Sequence, residues 1–126
     1  MIKRILIIDD HDEYRSILEE ALTYSDFEVK STGSSKDLFN EIETFQPDLL
    51  LLDYRLPDES GTQVCERIRK NSATAKLPII LISAYIGPGD DFSCCNGVLS
   101  KPFDLETLLK KINTVLSVQL GEQTVL

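Results

Sequence analysis

Ile5-Leu6-Ile7-Ile8-Asp9-Asp10 decides the fold: it is a short, unbroken apolar run that stops on two carboxylates. With no polar alternation, the run predicts a strand covered on both faces, as the strands of a parallel sheet are. The same pattern recurs at Leu49-Leu50-Leu51-Leu52-Asp53, at Ile79-Ile80-Leu81-Ile82-Ser83 and, more briefly, at Val98-Leu99-Ser100-Lys101-Pro102. Each apolar run ends on a polar residue, and a parallel sheet would bring those ends to one rim.

Amphipathic stretches separate the runs. Between Asp12 and Ser25, the residues Tyr14, Ile17, Leu18, Ala21 and Leu22 recur at three- and four-residue spacing and predict a first helix with one stripe facing inward. Phe27-Glu28-Val29 predicts a brief second strand. Ser34-Ser35-Lys36-Asp37 has the form of a capping box before a second helix, whose inner face is Leu38, Phe39, Ile42 and Phe45 and which Pro47 ends. Leu56-Pro57-Asp58-Glu59-Ser60-Gly61 is rich in turn formers, and Val64, Cys65 and Ile68 mark a third helix. Pro78 opens the fourth strand, Ile79 to Ile82. From Ala84 to Gly97 the pattern weakens: Gly87-Pro88-Gly89 breaks regular structure, and Asp90 to Asn96 leaves space for a short or irregular fourth helix at most. Val98-Leu99 predicts a short fifth strand. Asp104 is placed to cap a last helix with Leu105, Leu108, Leu109, Ile112 and Leu116 inside. The expected organisation is one domain over 1–120 with a frayed tail over 121–126.

Strands alternating with helices select an α/β, doubly wound five-stranded parallel sheet with helices on both faces, because parallel neighbours need right-handed crossover connections. Ligands of such sheets bind beyond the carboxyl ends of the strands. Asp9, Asp10, Asp53, Ser83 and Lys101 all fall there. Three carboxylates, a hydroxyl and an ammonium in one site suit a divalent cation and a phosphoryl group.

Composition sets the outer limits. The 126 residues suffice for a single core. A formal charge of -8, from 21 acidic and 13 basic residues, argues against direct nucleic-acid binding, which needs a basic patch. The apolar runs are too short to cross a bilayer, and Met1-Ile2-Lys3-Arg4 leads into a strand rather than a secretory leader, so a cytoplasmic location without membrane contact is expected. Cys65, Cys94 and Cys95 are an odd set with two adjacent, a poor disulfide framework, and reduced thiols are expected.

Every site residue also has a plainer reading. Asp9-Asp10 would serve as a helix N-cap with a solvated neighbour, Asp53 as a strand end, Ser83 as the partner of a local amide and Lys101 as a surface lysine. Their shared position at strand ends favours one joint site. His11 reads as an exposed first-turn residue rather than a ligand, since no second histidine exists to share a metal. Cys94-Cys95, beside Asp90-Asp91, reads as small apolar packing rather than a metal or redox site.

The ordered set resembles the receiver domain of two-component response regulators, the family typified by the bacterial chemotaxis regulator. It comprises Asp9-Asp10, Asp53 followed by Tyr54-Arg55-Leu56-Pro57 and Gly61, Ser83-Ala84, and Lys101-Pro102-Phe103. The likeness spans about Lys3 to Val118. It implies a flavodoxin-like strand order 2-1-3-4-5 and a phosphoacceptor role for Asp53, with a phosphohistidine on a histidine kinase or phosphotransfer protein as donor and a downstream protein as target. It also implies Mg2+ held by Asp10 and Asp53 directly, by Asp9 through water and by the backbone carbonyl of Arg55. Lys101 and Ser83 would meet the phosphoryl group, and the Lys101-Pro102 peptide is often cis in the family. Such a domain catalyses only its own phosphorylation and dephosphorylation. Two departures concern output: the stretch from Ser83 to Lys101 is shorter than usual, and Val98 stands where typical members carry an aromatic switch, with Tyr85 as a conceivable substitute. Two other readings stay open. One is a pseudo-receiver serving as an interaction scaffold; the other is a small aspartate-nucleophile phosphatase of the haloacid dehalogenase type, which would place Asp-x-Asp after the first strand.

Overall fold

The apolar runs become adjacent strands of one sheet. The computed structural model describes residues 2–124, with side chains for 2–118. Its strands are β1 (Arg4–Ile8), β2 (Glu28–Thr32), β3 (Leu49–Asp53), β4 (Ile79–Ser83) and β5 (Gly97–Ser100). Its helices are α1 (Asp12–Tyr24), α2 (Leu38–Phe45), α3 (Gly61–Lys70) and α4 (Leu105–Thr124). All pairings are parallel, in the order β2-β1-β3-β4-β5 that the family likeness implies. After β1 the chain moves outward to β2, then crosses back to β3 on the other side of β1. That reversal leaves a crevice between the carboxyl ends of β1 and β3.

The lack of polar alternation is explained by two cores, one on each face. Ile5, Ile7, Leu49, Leu51, Ile80, Ile82 and Leu99 point to α1 and α4, where Leu18, Leu22, Leu108 and Ile112 meet them. Leu6, Ile8, Leu50, Leu52, Ile79 and Leu81 point the other way, to Leu38 and Ile42 of α2 and Val64, Cys65 and Ile68 of α3. Burying each of these side chains is worth about 1.5–3 kcal/mol, so the central strands are the most firmly held backbone in the domain.

Local differences from the sequence expectations have physical causes. β2 runs to Thr32 although Lys30, Ser31 and Thr32 have no apolar pattern, because β1 supplies a full ladder from Arg4–Glu28 to Ile8–Thr32. The capping box expected at 34–37 does not form. Asp37 is the N-cap without a side-chain hydrogen bond, Ser34 Oγ accepts from the Lys36 amide at 3.1 Å, and Ser35 Oγ donates to Glu59 at 2.7 Å. The box forms at α3 instead: Ser60 Oγ accepts from the Gln63 amide at 3.2 Å, and Gln63 Oε1 accepts from the Ser60 amide at 2.9 Å. Asp104 caps α4 as expected, accepting from the Thr107 amide at 2.8 Å. The expected tail over 121–126 lies outside the residues with described side chains, and 125–126 lie outside the described backbone.

Between β4 and β5 the described chain holds turns and no helix. Arg69 of α3 anchors this segment, donating to the carbonyls of Cys94 (2.9 Å), Ala75 (3.1 Å) and Leu77 (2.7 Å) and to Asn96 Oδ1 (2.8 Å). Phe92, Cys94 and Cys95 pack on the core in place of helical side chains. The three thiols are unbridged, and burial pushes those of Cys65 and Cys95 up.

Candidate functional site

The rim at the carboxyl ends of the strands collects the polar residues on which the apolar runs stop. Asp9 follows β1, with its amide bonded to the Thr32 carbonyl at 3.1 Å. Asp53, Ser83 and Ser100 are the last residues of β3, β4 and β5, and Lys101 follows directly. Arg15 of α1 reaches back to the Asp9 carbonyl (2.7 Å) and pairs with Asp12 (2.8 Å), which fixes the turn carrying the two acids. Asp9, Asp10, Asp53 and His11 each offer a ligand atom, all within 4.8 Å of one another. Lys101 Nζ lies 3.5 Å from Asp9 Oδ2, 3.9 Å from Asp53 Oδ1 and 4.3 Å from the centre of the Tyr14 ring. The Lys101-Pro102 peptide is cis.

This crowding has electrostatic consequences. Burial raises the Asp53 carboxyl above its ordinary range; Lys101 opposes the shift, Asp9 adds to it, the Arg55 amide opposes it by hydrogen bonding, and Asp10 adds to it. Tyr14 is pushed up to about 12, by burial first and then by Asp9 and Asp53. Asp9 is only 2% and Asp53 5% exposed. Even so, Asp9 Oδ2 and Asp10 Oδ1 are buried without a hydrogen-bond partner. Their nearest neighbours, Lys101 at 3.5 Å from Asp9 Oδ2 and the His11 ring at 3.3 Å from Asp10 Oδ1, stand beyond good hydrogen-bond distance, and a bound cation would satisfy both oxygens at once. An oxygen-rich cluster with few carboxylates suits a hard divalent ion that keeps some of its water, as Mg2+ does.

The other expected residues are placed less decisively. The buried Ser83 hydroxyl donates to the Tyr85 carbonyl at 2.6 Å and accepts from the Tyr85 amide at 3.2 Å, the local role its plainer reading foresaw. Arg55 contributes its amide to Asp53 and pairs its backbone with Ser60. Gly61 was legible in the sequence as a turn former and as part of the family motif, without a structural reason for the glycine. A Cβ there would stand 2.8 Å from the Asp53 carbonyl and 2.9 Å from Tyr54 Cα, so the backbone behind Asp53 leaves no space for a side chain. Tyr14 was read only as part of the helix stripe; what its ring adds is a face for the Lys101 ammonium. Tyr54, next to Asp53, packs edge-on against Phe92 (5.5 Å, 67°) and places its hydroxyl 3.4 Å from Asp90, so the site touches the segment that replaces a helix.

The sequence matches the response regulator receiver domain over residues 5–113. The chain belongs to that family. Among relatives, it is 32% identical to the transcriptional regulatory protein GltR of Pseudomonas aeruginosa over 118 residues, covering 90% of this chain and 49% of the relative. It is 31% identical to the DNA-binding dual master transcriptional regulator RpaA of Synechocystis (90% and 48%) and 31% identical to the response regulator ArlR of Staphylococcus aureus (92% and 53%). The chain spans about half the length of these relatives. Among solved structures, a CheY-like receiver domain from Methanospirillum hungatei superposes with a TM-score of 0.88 at 26% identity, covering 97% of this chain and 99% of that one. The response regulator TrrA of Thermotoga maritima, solved in complex with Mg2+ and BeF, gives 0.80 at 28% identity (90% and 99%). The expectation of no nucleic-acid contact came from this chain's charge and does not fit whole regulators of this kind, of which RpaA is by name DNA-binding. No helix among the described residues is long and apolar enough to cross a membrane.

Proposed function

We propose that this chain is a phosphoacceptor receiver in a two-component pathway, with Asp53 accepting a phosphoryl group from a phosphohistidine on a histidine kinase or phosphotransfer protein. The observation that carries the reading is the convergence of Asp9, Asp10 and Asp53 within 4.8 Å, facing Lys101, with Asp9 Oδ2 and Asp10 Oδ1 buried and without hydrogen bonds. Asp10 and Asp53 would hold Mg2+ directly, Asp9 through water, and the Arg55 carbonyl would add a further oxygen. The bound ion would neutralise phosphoryl oxygens that otherwise repel an attacking carboxylate.

The residues of this chain then divide the work. An Asp53 carboxylate oxygen forms the new bond to phosphorus as the bond to the donor nitrogen breaks, leaving a neutral imidazole once the ring is protonated. Lys101, already poised between Asp9 and Asp53, moves its ammonium onto the incoming oxygens as a point charge without bidentate geometry. Ser83 donates to the same group after releasing the Tyr85 carbonyl. Such a bond to a charged acceptor is worth about 1.5–3 kcal/mol, enough to bias a two-state segment. A downstream protein would read that change.

Labelling by acetyl phosphate with Mg2+ tests the reading. Wild type should take up label at one site, and Asp53→Asn should take up none; equal stoichiometry in the variant removes Asp53 from its role. A scaffold reading draws support from the helix-free segment after β4 and from the engaged Ser83 hydroxyl. Unchanged amide resonances over 84–100 on adding beryllofluoride and Mg2+ would favour it.

A further inference from the structure

His11 is exposed, as the sequence suggests, with 69% of its side chain accessible, yet its ring lies against the acids. Nδ1 stands 3.3 Å from Asp9 Oδ1 and 3.3 Å from Asp10 Oδ1. His11 is the N-cap of α1 but makes no capping hydrogen bond with its side chain, so the imidazole has no duty in the helix it precedes. Its amide donates to Asp9 Oδ1 at 2.9 Å, which fixes the turn that aims the ring. One ring nitrogen and one oxygen from each of Asp9, Asp10 and Asp53 lie within 4.8 Å of one another. Ligand atoms bonded to one ion at about 2.0–2.2 Å stand about 3 Å apart when adjacent and about 4 Å when opposite, so the His11, Asp10 and Asp53 atoms need only small movements to share one. Independently, Asp9 is 2% exposed and its Oδ2 makes no hydrogen bond, with the Lys101 ammonium 3.5 Å away, so the three clustered carboxylates face a single ammonium and carry an excess of negative charge that a bound cation would offset.

We infer that His11 is a further protein ligand of the centre formed by Asp9, Asp10 and Asp53, and that its nitrogen shifts the site's preference from Mg2+ towards borderline divalent ions such as Mn2+ and Co2+. The inference rests on the three carboxylates forming a metal centre and adds the residue that selects the ion. Mg2+ is hard, favours oxygen and keeps its water, so an imidazole offers it little. Transition ions gain from nitrogen, and the gain grows from Mn2+ towards Ni2+ and Cu2+. Because the ring is exposed, it can adjust to the ion without disturbing the core. If the ring merely accompanied the acids as a neighbour, ion preference would not depend on it.

The test uses the whole chain at neutral pH. Wild type and His11→Ala are titrated calorimetrically with Mg2+, Mn2+ and Co2+, and the Mn2+ complexes are examined for nitrogen hyperfine modulation by pulsed electron paramagnetic resonance. The ratio of Co2+ to Mg2+ affinity should fall by about 10–100-fold in the variant, the range typical of losing a partner at a metal site. Imidazole modulation should be present in wild type and absent from the variant. An equal ratio in the two proteins, or no nitrogen modulation in wild type, overturns the role of His11. Failure of all three ions to bind either protein overturns the three-carboxylate centre itself, so the two failures are distinguishable.

Discussion

Replacing Asp53 by asparagine should make the metal-free protein more stable. Asp9 and Asp10 each bring a carboxylate within 4.8 Å of Asp53, and at an effective dielectric of about 20 each such pair repels by about 3 kcal/mol. Lys101, at 3.9 Å, returns about 4 kcal/mol of attraction on the same scale. The Asp10 side chain is 31% exposed, which lets solvent screen its share. The balance, with the burial of Asp53 itself, leaves about 1–2 kcal/mol of destabilisation at neutral pH that Asp53→Asn would relieve. For a domain of this size that is a rise in Tm of about 5 °C, measured by scanning calorimetry in EDTA at low ionic strength. The sign with pH follows from the raised Asp53 carboxyl. The folded state holds its proton more tightly than the unfolded chain, so stability is lost as pH rises from the ordinary carboxylate range through the raised value. The advantage of asparagine should therefore shrink as pH falls towards that ordinary range. Mg2+ at ten times its Kd should add about 1.4 kcal/mol to wild type and less to the variant. An Asp53→Asn protein that melts at or below wild type in EDTA at neutral pH would refute the picture of mutually repelling carboxylates.

Gly61→Ala should destabilise the fold by about 1–3 kcal/mol, because its Cβ would overlap backbone atoms of Asp53 and Tyr54, and it should also weaken Mg2+ binding by moving Asp53; urea unfolding and calorimetric titration read the two effects. Ser60→Ala, next in the chain, should lose about 1 kcal/mol in the same urea assay by removing the α3 capping box, while Mg2+ affinity stays within about twofold of wild type.

The sheet was legible because its strands are buried on both faces and so leave unbroken apolar runs: Ile5 to Ile8, Leu49 to Leu52 and Ile79 to Ile82 needed no partner information to be read. β2 was only half legible, since Lys30 to Thr32 are strand by virtue of pairing with β1 and not by composition. The capping box went to the wrong helix for a similar reason. Ser60 was read only within a run of turn formers, and Ser35 was drawn off by Glu59, a tertiary partner that local pattern does not reveal. At the site, strand-end position picked out the acids and Lys101. Ring orientations were beyond its reach: neither the turn of His11 onto Asp9 and Asp10 nor the cover of Tyr14 over Lys101 follows from helical periodicity. The close approach at Gly61 was visible only as a glycine after a turn, because the crowding involves backbone from β3.

Arg69 gives the helix-free segment an unusual kind of anchorage. Its guanidinium is matched entirely to neutral oxygens, three of them main-chain. No carboxylate shares in those contacts, so added salt has little counter-charge to compete with, and the 92–96 stretch should stay seated under ionic conditions that would loosen a surface ion pair. The planar, forked shape matters as much as the charge: a lysine, with a single terminal nitrogen, would leave several of these oxygens unserved at once. A cationic side chain here works as a bracket for uncharged backbone.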